Sequence, residues 1–114
     1  MDALDTVFRR ADRRLASLVT HEEFAIVIML PEMRAVDRGA WIDGLQDYEL
    51  VEWDLHDERF DLVGGDSAVH HRRARRVSRS GGVTQSGEIL VTDNWKRGSD
   101  AAWRVWQRAV TPLE

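Results

Sequence analysis

The chain contains no cysteine, which excludes a disulfide framework and any thiolate chemistry. No apolar run approaches the length needed to span a bilayer. The N-terminus, Met1-Asp2-Ala3-Leu4-Asp5, is acidic and has neither a basic stretch nor an apolar one behind it, so no secretory signal is expected and the expected location is cytoplasmic. Internal repeats, linkers and low-complexity segments are missing as well. What is present suits one small globular domain over residues 1–114: 43% hydrophobic and 32% charged residues, and a length sufficient for a core of its own.

The net charge of −4 argues against general nucleic-acid binding. The exception is the compact basic run His70-His71-Arg72-Arg73-Ala74-Arg75-Arg76. Strand alternation splits it, with Arg73 and Arg75 on one face and Arg72 and Arg76 on the other. No groove-reading or base-stacking element accompanies the run, so a solvated face or an interface explains it better than RNA or DNA.

Leu4, Val7, Phe8, Ala11, Leu15, Leu18 and Val19 recur at helical spacing with arginines and Asp12 between them. This pattern predicts an amphipathic helix of four to five turns, capped by Asp2. Glu23 to Met29 is apolar on both sides and bounded by Pro31, the pattern of a buried strand. Asp37 then suits the N-cap of a second helix carrying Trp41, Ile42 and Leu45. From Tyr48 onward, glycine-containing breaks at 64–66, 80–82 and 98–100 divide four long strands, about Val51 to Val63, Ser67 to Arg79, Val83 to Arg97 and Ala102 to Thr111. Helix, strand, helix and a four-strand meander make an α+β layout with helices on one face of a curved sheet.

Turn positions suggest registers, and registers decide which side chains share a face. Pairing Leu62 with Ala68 sets Phe60 opposite His70, Glu58 opposite Arg72 and His56 opposite Ala74. Pairing Ala74 with Ile89 sets Arg72 against Val91, His70 against Asp93 and Ala68 against Trp95. Pairing Trp95 with Trp103 sets Asp93 against Val105 and Val91 against Gln107. The face so defined holds Phe60, Leu62, Ala68, Ala74, Ile89, Val91, Trp95, Trp103, Val105 and Ala109. Arg108, Trp106 and Val110 fall on the other side.

The covered face also holds Glu58, His70, Arg72, Asp93 and Gln107. Burying unpaired charge costs several kcal/mol, on the order of a small domain's whole stability margin. These groups therefore either pair, Glu58 with Arg72 and His70 with Asp93, or line a hollow open to solvent. In the second case Asp93 or Glu58 serves as a general base, His70 as a proton partner and Arg72 as the anion-binding or electrophilic group. The ion-pair reading explains the same residues without catalysis. Trp41, Phe60, Val91, Trp95, Trp103 and Gln107 are the expected ligand wall. His56, Asp57, Glu58, His70 and His71 show no metal-binding spacing, and His70 and His71 point to opposite faces, so neither metal nor cofactor is expected. An exposed Trp106 would suit a contact between protomers.

The chain resembles a known family in Ala11-Asp12-Arg13-Arg14-Leu15-Ala16, Glu23-Phe24, Asp37-Arg38-Gly39-Ala40-Trp41-Ile42, Gly65-Asp66-Ser67-Ala68-Val69, Val91-Thr92-Asp93-Asn94-Trp95, and Trp103-Arg104-Val105 running on to Thr111-Pro112-Leu113. These segments, in this order, are similar to SnoaL-like domains of the nuclear transport factor 2-like superfamily, in particular the group known as domain of unknown function 4440. The resemblance implies a cone-shaped α+β fold, a bent antiparallel sheet wrapped around N-terminal helices, with a pocket at the open end that takes a small organic molecule. It further implies a homodimer formed through the sheet. Relatives include cofactor-independent isomerases, cyclases, hydrolases and dehydratases as well as non-catalytic binding and dimerisation modules, so the fold leaves the activity open. Similar sequences carry apolar or tyrosine side chains where this one has Glu58, His70 and Arg72, a departure that points to a polar or anionic ligand.

Overall fold

In the computed structural model, residues 10, 12–28 and 32–113 are described. Helix α1 spans Arg13–Val19, and its N-cap is Asp12, whose carboxylate accepts the Leu15 N–H at 3.0 Å. The earlier turns expected from Leu4, and the Asp2 cap, lie outside the described residues. Strand β1 follows without a loop at Thr20–Ile28. A short strand that the sequence reading did not anticipate, β2 at Arg34–Asp37, pairs back on it antiparallel. Helix α2 spans Arg38–Gly44, and its N-cap Asp37 accepts from the Ala40 N–H at 2.8 Å, as the sequence predicts. A 3-10 turn at Leu45–Asp47 leads into the meander.

The meander consists of β3 Tyr48–Val63, β4 Ser67–Ser80, β5 Val83–Arg97 and β6 Trp103–Pro112. All strands form one sheet in the order β2-β1-β6-β5-β4-β3, with β1 parallel to β6 and the remaining pairs antiparallel. The helices cover one face. Ala16 of α1 and Trp41 of α2 meet Phe24, Ala68, Trp95 and Val105 of the sheet in the main core. The Phe24 and Trp41 rings lie 4.8 Å apart, tilted by 52°, an arrangement that adds to the area both bury. No helix among the described residues is long and apolar enough to cross a membrane.

The β3–β4 and β4–β5 registers agree with expectation from Leu62↔Ala68 through Glu58↔Arg72, and from Ala68↔Trp95 through Ala74↔Ile89. Three β-bulges and the position of the last turn correct the rest. One at His56 brings Leu55, not His56, opposite Ala74, and a second at Val51 shifts the phase again. The β5–β6 turn itself pairs Trp95 with Val105 rather than Trp103, and the third bulge, at Trp106, adds one more residue, so that Asp93 lies opposite Arg108 rather than Val105 and Val91 opposite Val110 rather than Gln107. A bulge inserts one residue and exchanges the two faces beyond it. Arg108 and Val110 consequently turn inward and are buried, while Gln107 and Ala109 turn outward.

Candidate functional site

The concave face holds a polar cluster in the middle of the sheet and a cavity beside it. Asp93 on β5 anchors the cluster and is fully buried. Its Oδ1 accepts from Arg108 Nε at 2.7 Å, its Oδ2 accepts from Arg108 Nη2 at 2.8 Å, and Arg72 Nη2 donates a further bond to Oδ2. The planar fork of Arg108 thus grips both carboxylate oxygens. Burial alone would raise the Asp93 pKa; the charge and hydrogen bonds of Arg108, with Arg72 and His70, outweigh it and hold the group below its ordinary value.

The cluster extends to β3. His70 Nε2 lies 2.7 Å from Glu58 Oε2, and the Phe60 ring meets the imidazole edge-on at 5.7 Å. Arg72 stacks 5.9 Å from the Trp53 ring. The expected pairs were Glu58 with Arg72 and His70 with Asp93, and both are directly opposed in the register. The hydrogen bonds add Glu58 to His70 and draw a second arginine to Asp93. Arg108 supplies a charge that the expected pairs did not include, and the Trp106 bulge is what brings it inward.

A cavity of about 430 Å³ lies next to this cluster, between α2, the β1–β2 pair and the inner face of β3–β6. Its wall is mainly apolar, with Ile26, Trp41, Leu45, Trp53, Ile89 and Val91 among its residues. The polar contributors are Tyr48, Arg76 and Arg108 inside, with Arg34, Ser80 and Gln85 exposed at its margin. Among the described residues no Asp or Glu lines it.

Of the residues expected to form the ligand wall, Trp41 and Val91 line this cavity. Trp95 and Trp103 pack instead in the main core. Phe60 is 44% exposed on the far part of β3, Leu62 beside it is 67% exposed, and Gln107 faces away. Glu58, His70, Arg72 and Asp93 come together as expected, but beside the cavity rather than in its wall.

The residues that sequence reasoning missed are Tyr48, Arg76 and Arg108. Arg108 follows a bulge that turn positions do not reveal, whereas Tyr48 lies before the expected start of its strand at Val51. Arg76 was legible, since alternation already set it on the Arg72 face. The Tyr48 hydroxyl hydrogen-bonds with buried Ser78, and burial raises its pKa against the opposing pull of Arg76 and Arg108, so it remains a protonated phenol at neutral pH. Arg76 is pushed the other way, lowered by burial and further by the Arg108 charge.

A curled six-strand sheet closed over two short helices, with its hollow at one end, is the nuclear transport factor 2-like fold. Neither a protein-family model nor a curated protein sequence matches the chain. Solved structures do. An NTF2-like protein of unknown function in nutrient uptake from Rhodospirillum rubrum superposes with a TM-score of 0.85 at 16% identity, covering 99% of this chain and 94% of that one. An NTF2-like protein from Cytophaga hutchinsonii gives 0.86 at 17% identity, covering 98% and 91%. A ketosteroid isomerase-like protein from Erwinia carotovora atroseptica gives 0.72 at 9% identity, covering 98% and 89%. At such identities the likeness defines the fold.

Proposed function

We propose that this chain is a SnoaL-like small-molecule-binding domain whose ligand occupies the cavity between α2 and the sheet. The observation that carries the reading is the cavity itself: about 430 Å³, within the range of small-ligand sites, with an apolar wall and a few convergent polar groups. The alternative is isomerase, cyclase, hydrolase or dehydratase chemistry on a pocket carboxylate. It requires a base in contact with the ligand, whereas Asp93 spends both oxygens on arginines and no described carboxylate lines the cavity. Binding without proton abstraction fits this arrangement better.

Ala40 on α2 lines the cavity and is itself exposed. Ala40→Trp should fill the hollow, keep the fold, and abolish ligand-dependent thermal stabilisation in a fragment screen that stabilises the wild type. Equal stabilisation of both proteins would place the ligand elsewhere. The outer sheet face presents Leu90, 42% exposed, and Trp106, 37% exposed, which support a homodimer formed through that face. Sedimentation equilibrium of the wild type against Trp106→Glu tests it: a dimer that becomes a monomer is expected, and unchanged mass would reject the contact.

A further inference from the structure

We infer that the cavity ligand is an organic anion, a carboxylate on an apolar body, seated by Arg76 together with Tyr48 and Arg108. The inference rests on the binding reading above and names the ligand class for that site.

The argument starts from charge. Three arginines, Arg34, Arg76 and Arg108, line the cavity, and no described acidic residue does. Arg108 is compensated from behind by Asp93. Arg76 is not. Of the other arginines on β4, Arg72 meets Asp93, Arg75 lies 3.9 Å from Glu52, Arg79 lies 2.9 Å from Glu49, and Arg73 is exposed to solvent. Arg76 points to the inner face, is only partly accessible, and has no carboxylate within ion-pair distance among the described residues.

A guanidinium drawn out of water against an apolar wall is costly unless an anion meets it. The chain supplies donors around that position rather than acceptors of charge. Tyr48 keeps its proton, and Ser78 fixes its oxygen. On β5 the residue opposite Arg76 is Gly87, so no side chain crosses to cover the guanidinium from that strand. A planar carboxylate suits the fork geometry of arginine. The rest of the wall, including Trp41, Trp53, Ile89 and Val91, favours an aromatic or aliphatic body over a sugar or a phosphate-rich ligand.

The test uses matched pairs of carboxylic acids and primary alcohols built on phenyl, indolyl, cyclohexyl and straight-chain alkyl bodies. Binding is measured by protein-observed NMR and calorimetry. In the wild type the carboxylate of a binding pair should bind about 10- to 100-fold more tightly than its alcohol, the range expected for a hydrogen bond to a charged group. Arg76→Gln should remove that discrimination while alcohol affinity stays within about threefold. Arg76→Lys keeps the charge without the fork, and should retain part of the preference.

Equal affinity within every binding pair would overturn the anion assignment and leave the cavity reading intact. Discrimination unchanged in a folded Arg76→Gln protein would overturn the role of Arg76. Absence of binding by every member of the panel would overturn the cavity reading and the anion assignment with it.

Discussion

Asp93→Asn exchanges one oxygen for an amide nitrogen and removes the charge at the centre of the buried cluster. Asp93 is 0% exposed and accepts three hydrogen bonds from two guanidinium groups. After the substitution, Arg72 and Arg108 remain buried with no counter-charge between them, and the new NH2 group opposes a donor. Removing one partner of a buried ion pair costs about 3–5 kcal/mol. With an unfolding entropy of about 2.1 cal/mol/K per residue over 114 residues, that corresponds to a fall in Tm of roughly 12–20 °C. Urea unfolding followed by tryptophan fluorescence measures it. The pH dependence carries an independent signature. The folded-state pKa of Asp93 lies below the ordinary 3.8, so the unfolded chain takes up this proton first as acid is added. The stabilisation is thus complete well above pH 4 and is lost as the pH falls through the folded-state value. The wild type should lose stability more steeply below about pH 4 than Asp93→Asn, whose side chain does not titrate. A loss under about 1 kcal/mol, with matching acid limbs, would refute the assignment of Asp93 as the structural anchor.

Arg76→Met should raise the stability of the ligand-free protein by about 1 kcal/mol, because it replaces an uncompensated, partly buried cation by an apolar chain of similar length; denaturant midpoints decide this, and a decrease would contradict the charge argument. Asp37→Ala removes the oxygen that caps α2 at 2.8 Å and should cost about 1 kcal/mol by the same measurement. Leu62→Ser, on the exposed far end of β3, should change stability by no more than about 0.5 kcal/mol; a larger loss would mean that this stretch is covered in solution.

The turn chemistry at Gly64-Gly65-Asp66 and Ser80-Gly81-Gly82 was enough to register β4 against β5 along its whole length and β3 against β4 from Asp57 to Val63. Gly64, Gly81 and Gly82 adopt positive φ, the conformation that makes such turns readable. What turn positions do not carry is an extra residue inside a strand. His56, Val51 and Trp106 have ordinary strand composition, so nothing local in the sequence marks the bulges there. Helix α1 shows a different limit. Its amphipathic pattern was plain, but much of it falls outside the described residues.

The three bulges also separate what stabilises the fold from what defines the site. Without the bulge at Trp106, Asp93 would face Gln107 and Arg108 would turn outward, leaving a buried carboxylate with Arg72 as its remaining arginine. With it, a second guanidinium enters, neutralises the carboxylate from one side and presents its own charge to the cavity on the other. On β3 the bulges at His56 and Val51 cancel in phase beyond Val51, and between them Trp53 of the cavity wall is turned inward. Arg76 needs no such device, because regular alternation on β4 already turns it inward. The cavity thus gains Arg108 by a local phase shift in β6 while the continuous strand β4 holds the cation beside it, which is how one basic run contributes both a structural ion pair at Arg72 and an uncompensated charge four residues later.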